Sequence, residues 1–164
     1  MKPKKGQKRH QKFNSNFTTM NPKDFLGKEN EQLIKEAIEG AEHQTSGEVR
    51  VHIESTCKKD VLDRAAWLFR KLKMNETKER NGVLIYLSIN DRKFAIIGDS
   101  GINKVVPEGF WNQIKEIMID HFIKNEFAQG IISGIEKTGQ QLKQYFPWQT
   151  DDVNELSDEI SYGK

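Results

Sequence analysis

The chain has 164 residues and a formal net charge of +2, enough length for one ordinary domain with a real core and too little for two. The mean hydropathy of −0.75 is low because charge is unevenly placed, with six basic residues and no acid in 1–19 and five acidic residues in 151–159. With those ends set aside, residues 20–149 hold 19 basic and 19 acidic residues, so the body is neutral and lacks the basic excess with which nucleic-acid binders neutralise phosphates.

The expected organisation is a leader or tag-like extension over 1–19, a single α/β domain over 20–149 and a disordered acidic tail over 150–164. No window approaches the roughly 18 apolar residues of a membrane span, and no apolar stretch follows the basic start as a signal peptide requires. The chain therefore reads as unexported and cytoplasmic. The single cysteine, Cys57, excludes an internal disulfide and reads as a small core filler.

From Asn30, Leu33, Ile34, Ala37, Ile38 and Ala41 recur at helical spacing. Val49, Val51 and Ile53 then alternate with Glu48, Arg50, His52 and Glu54, the period of a half-exposed strand near a sheet edge. Asp60 offers an N-cap to a second helix, whose apolar face is Val61, Leu62, Ala65, Leu68, Phe69 and Leu72. "VLIYLSI" is a nearly unbroken β-branched and aromatic run, suited to a strand covered on both faces. "NDRK" reads as a hairpin turn and "FAIIG" as the returning strand. Pro107 suits the first turn of the next helix, and a last helix ends before Pro147.

This order predicts a three-layer α/β sandwich, with a central mixed sheet of about four strands and helices on both faces. The first two strands should be parallel and the third antiparallel. Both parallel strands then start at the end of the sheet where the third finishes in Gly-Asp-Ser-Gly, so Glu48, Asn81, Asp99, Ser100 and Glu108 should converge there. Carboxylates and neutral oxygens gathered in this way are what a calcium ion takes, with Thr45 and Ser46 as further neutral donors. The alternative is that Gly-Asp-Ser-Gly is only a turn. His121 reads as structural, and Phe110 and Trp111 as core.

"SGEVRVHI", "NGVLIYLSINDRKFAIIGDSG", "VPEGFW" and "FAQGIISGIE", in that order, resemble the TPM domain family, which includes a thylakoid-lumen acid phosphatase and many bacterial proteins of unassigned role. The resemblance covers roughly residues 29–146. It implies a compact α/β sandwich, a divalent-cation site that is often calcium, and phosphatase activity in some members. Family members commonly carry Asp where this chain has Glu108, and many are exported or membrane-anchored. Three readings follow: a calcium-binding interaction or accessory domain, monomeric and with a protein partner; a metal-dependent phosphatase of low activity on phosphate monoesters, with Arg50 and Arg80 as candidate phosphoryl-facing cations and no nucleophile motif; and a nucleic-acid binder that uses the first 19 residues.

Overall fold

A computed structural model describes residues 21–163, so the expectation for residues 1–19 lies outside the described residues. The elements run α1 (Pro22–Leu26), α2 (Lys28–Glu42), β1 (Glu48–Glu54), α3 (Val61–Lys71), a 3-10 turn (Met74–Glu76), β2 (Gly82–Ser88), β3 (Lys93–Gly98), α4 (Ser100–Asn103), α5 (Phe110–Ile123), α6 (Phe127–Leu142) and β4 (Ser161–Tyr162). The sheet order is β3-β2-β1-β4. β1 and β2 are parallel, in register from Glu48 opposite Gly82 to Glu54 opposite Ser88, and β3 returns antiparallel with Gly98 opposite Val83. This is the mixed four-stranded α/β sandwich that the sequence predicts.

Alternation sends Val49, Val51 and Ile53, with Val83, Ile85 and Leu87, to the face covered by α2, α5 and α6, where they join Ile38, Ile114 and Ile131. Leu84 and Tyr86 point the other way, against Ala65, Leu68 and Phe69 of α3. Every residue of β2 is buried, as its unbroken apolar run requires. Asp60 caps α3, its Oδ1 accepting from the backbone N–H groups of Leu62 and Asp63 at 2.9 and 3.2 Å. Cys57 is buried in the α3 cluster, in keeping with its reading as filler.

Four expectations are corrected. β1 is not half-exposed: only Arg50 escapes full burial, because tail residues meet Glu48 and His52, Arg64 reaches Glu54, and β4 pairs with its free edge. Gly-Asp-Ser-Gly is more than a turn: Asp99 caps the one-turn helix α4, its carboxylate accepting from the Ser100 N–H at 2.7 Å. The next helix starts at Phe110 and not at Pro107, after Gly109 turns the chain at φ 80°. Finally, the acidic tail is ordered. Charge alone suggested solvation, but Leu156 packs on the α3 cluster, Ile160 and Tyr162 pack on the main core, and Ser161–Tyr162 extend the sheet.

Two glycines separate conformational entropy from close approach. A Cβ at Gly101 would lie 2.2 Å from the Glu79 carbonyl oxygen and 2.6 Å from that of Arg80, backbone atoms that cannot step aside, whereas one at exposed Gly40 inside α2 would meet nothing within 4 Å. Gly101→Ala should therefore destabilise the protein by about 1–3 kcal/mol, as over-packing does. Gly40→Ala should stabilise it by roughly 0.5–1 kcal/mol through helix propensity. Chemical denaturation of the two variants beside the parent protein checks both signs.

Candidate functional site

The starts of β1 and β2 and the end of β3 are tied together by main-chain bonds. The Glu48 N–H donates to the Asn81 carbonyl at 3.3 Å, the Asp99 N–H to that of Gly82 at 2.9 Å, and the Gly101 N–H to that of Arg80 at 2.9 Å. Glu48, Asn81, Asp99 and Ser100 are thus gathered at one end of the sheet. Glu108 lies in an exposed turn, in a groove that it shares with Trp111 and with Asn103, whose Nδ2 donates to the Gly98 carbonyl at 3.0 Å.

Each gathered side chain has a distinct state. Asp99 is buried, and its carboxylate grips Arg80, with Nε to Oδ2 at 2.8 Å and Nη2 to Oδ1 at 3.0 Å. The Arg80 side chain is half exposed and its backbone is left-handed at φ 52°. Glu48 is buried as well, and its two oxygens accept the N–H groups of Glu155 and Leu156 at 2.7 and 3.1 Å. Burial pushes the Glu48 carboxyl up to about 7, against the pull of those two amides.

Asn81 is 1% exposed, and its Oδ1 has no hydrogen-bond partner. Its Nδ2 donates to the Ser46 hydroxyl at 3.3 Å, and that hydroxyl donates to Glu79 Oε2 at 3.0 Å. An unsatisfied amide oxygen at this depth costs about 1–3 kcal/mol unless something fills the gap. Thr45 instead serves the fold, its hydroxyl donating to the Phe146 carbonyl.

Among the described residues no three His, Cys, Asp or Glu side chains gather as a ready metal group. The donors that fit a hard divalent cation are the orphaned Asn81 oxygen, the Ser46 hydroxyl and the Glu79 carboxylate, all oxygen as calcium requires. Asp99 could join them only by leaving Arg80, and Glu48 only by leaving the tail amides. Glu79 was not singled out from sequence, where a loop carboxylate two residues before Asn81 carries no pattern.

The opposite end of β1 holds a second polar centre that the sequence did not reveal. Glu54, 2% exposed, accepts from Arg64 Nε and Nη2 at 2.8 and 2.9 Å and from the Tyr86 hydroxyl, and lies 3.3 Å from His52 Nε2. His52 is buried rather than on an open polar face, and its Nδ1 meets the Ser161 hydroxyl at 2.9 Å. Burial pushes the Glu54 carboxyl up, but the bonds from Arg64, His52 and Tyr86 outweigh it and hold the group at about 2. The arrangement clamps α3 to the sheet. His121 is structural as expected, with Nδ1 2.9 Å from Glu126 and Nε2 3.3 Å from the Ser133 hydroxyl.

The TPM domain profile matches residues 19–141. The chain belongs to the TPM domain family. The NMR structure of the BA42 protein from the psychrophilic bacterium Bizionia argentinensis is 48% identical, covers 86% of this chain and 97% of its own, and superposes with a TM-score of 0.82. The NMR structure of the N-terminal domain of a P. gingivalis protein shares the fold at 22% identity and a TM-score of 0.62, covering 74% of this chain and 78% of its own. A search of curated proteins returns no match. Among the described residues of this TPM domain no helix is long and apolar enough to cross a membrane.

Because the folded-state value of Glu54 lies below its ordinary 4.5, its contribution to stability is fully present above pH 4.5 and is lost as pH falls towards 2. Glu54→Gln should lower stability at neutral pH and flatten the acid limb between those values. Urea unfolding at stepped pH measures both effects.

Proposed function

We propose that this TPM domain binds a divalent cation of the calcium class at the strand-start end of its sheet and works as a cation-responsive accessory module for a protein partner in the cytoplasm. The observation that carries the reading is the buried Asn81 Oδ1 without a partner, next to the hydroxyl and carboxylate of Ser46 and Glu79. A hard cation supplies an oxygen-seeking charge that satisfies an acceptor which no protein donor reaches. Arg80 is its rival. By holding both oxygens of Asp99 the guanidinium occupies a carboxylate that the ion would otherwise use. The reading is of binding and not of turnover, since the cation best placed to face a phosphoryl group, Arg80, is committed to Asp99.

A ligand that binds only the folded state adds RT ln(1 + [L]/Kd) to stability, about 2.7 kcal/mol at a hundredfold excess over Kd. Calcium added to chelator-treated protein should raise the melting temperature. Arg80→Gln should bring the rise at lower calcium concentration because Asp99 is freed, and Asn81→Ala should remove most of it. Melting curves of the parent and Arg80→Gln proteins that both stay unmoved by calcium would overturn the proposal.

A further inference from the structure

Positive charge in the neutral body is concentrated around one helix. Residues 58–73 hold six basic side chains and two acidic ones, Asp60 and Asp63, while the body as a whole has no net charge. Lys58, Lys59, Arg70, Lys71 and Lys73 are exposed, and among the described residues none of them pairs with a carboxylate. The sixth, Arg64, serves Glu54. The loop leaving the carboxyl end of β1 sets Lys58 and Lys59 before the start of α3, and the 11 residues of the helix carry Arg70 and Lys71 to its other end, about 16 Å along the axis. In open α/β sheets, ligands gather at this carboxyl end of the parallel strands.

Between the two cationic ends stands Trp67, 47% exposed. The Arg64 guanidinium lies 4.8 Å and the Lys71 ammonium 5.8 Å from its ring centroid, contacts that hold the indole in place at the surface. Lys59, Asp63, Arg64, Ala66, Trp67 and Arg70 line an open groove of about 410 Å³, and Lys59 and Arg64 also line a neighbouring one that reaches Thr56 and Lys58. The carboxyl groups in the two grooves are those of Asp63 and Glu54, and Glu54 is bound by Arg64, His52 and Tyr86.

We propose that the α3 face from Lys58 to Lys73 docks an acidic, extended segment of a partner protein, with an apolar side chain of that segment seated against Trp67. The proposal rests on the reading of the domain as an accessory module, and supplies the chemistry of the partner's contact. Unpaired cations at both ends of the helix call for carboxylates at both ends of the docked segment, and a strand rising about 3.3 Å per residue covers about 16 Å in about five residues. A ring already held by two cations loses little freedom on binding, which is what an interface anchor needs. Two observations set an acidic peptide above other polyanions. Arg64 already covers a face of the indole on which a nucleotide base would stack. Asp63, in the groove beside Trp67, repels the phosphates of a nucleic acid or a lipid surface but accepts the backbone N–H groups of a peptide.

Fluorescence anisotropy tests this, with the full chain in chelator titrated into a labelled decapeptide of Glu residues around a central Phe-Leu pair. Labelled oligothymidylate, and vesicles of phosphatidylcholine and phosphatidylserine, are titrated beside it. The expected result is saturable binding of the peptide, tighter than that of either other polyanion and weakening as salt is raised. Lys59→Glu combined with Arg70→Glu should raise Kd by at least about tenfold, and Trp67→Ala by about tenfold. Melting temperatures should stay unchanged, because all three side chains are exposed. Amide shifts on peptide addition should concentrate in residues 58–73. No peptide binding at low salt, binding indifferent to these substitutions, or tighter binding to thymidylate or to the vesicles would sink the proposal. Calcium is absent throughout, so each outcome stands apart from whether the strand-start end takes a cation.

Discussion

The parallel pairing of β1 with β2, Glu48 opposite Gly82 through Glu54 opposite Ser88, is the constraint on which the rest of the molecule depends. A slip of one residue would turn Val49, Val51 and Ile53 out of the main core, where burying each is worth roughly 1.5–3 kcal/mol. The same register sets the Glu48 amide on the Asn81 carbonyl and, through β3, the Asp99 amide on that of Gly82. Packing energy from the core thus positions polar groups at the rim, which gain nothing themselves from being there. Gly101 completes the arrangement by letting α4 approach the Glu79 and Arg80 carbonyls.

The polar face of β1 shows how buried charge is tolerated. Glu48 and Glu54 are both almost fully buried, at opposite ends of one strand, and they are satisfied in different ways. Glu48 takes the backbone amides of Glu155 and Leu156, while Glu54 takes a bidentate guanidinium, a phenol hydroxyl and an imidazole. The first arrangement leaves the carboxyl raised and the second leaves it depressed, since a full positive charge offsets desolvation better than amide dipoles do. The Arg64 end is accordingly a structural clamp.

Much of the fold was legible because periodicity and turn chemistry agree: the all-apolar run of β2, the Asp60 cap and the hairpin at Asn90 and Asp91 each admit one reading. The convergence of Glu48, Asn81, Asp99 and Ser100 followed from topology alone. What escaped depended on contacts distant in sequence. Alternation along β1 looked like exposure, because nothing local says that the tail and Arg64 meet its polar face and that β4 pairs with its edge. The acidic tail looked solvated, because its few apolar residues find their surface only in the finished domain. The Glu79, Ser46 and Asn81 chain depends on side-chain directions that spacing does not reveal.

The central claim is that the strand-start end recognises a cation through a buried amide oxygen in want of a partner. Titrating metal-free protein with calcium while following the side-chain amide of Asn81 by NMR tests it most directly. The account predicts a saturable shift of that amide, with the backbone signals of Ser46 and Glu79 moving at the same midpoint. An unmoved Asn81 amide, with calcium-induced shifts confined to the exposed carboxylates of residues 151–159, would contradict it.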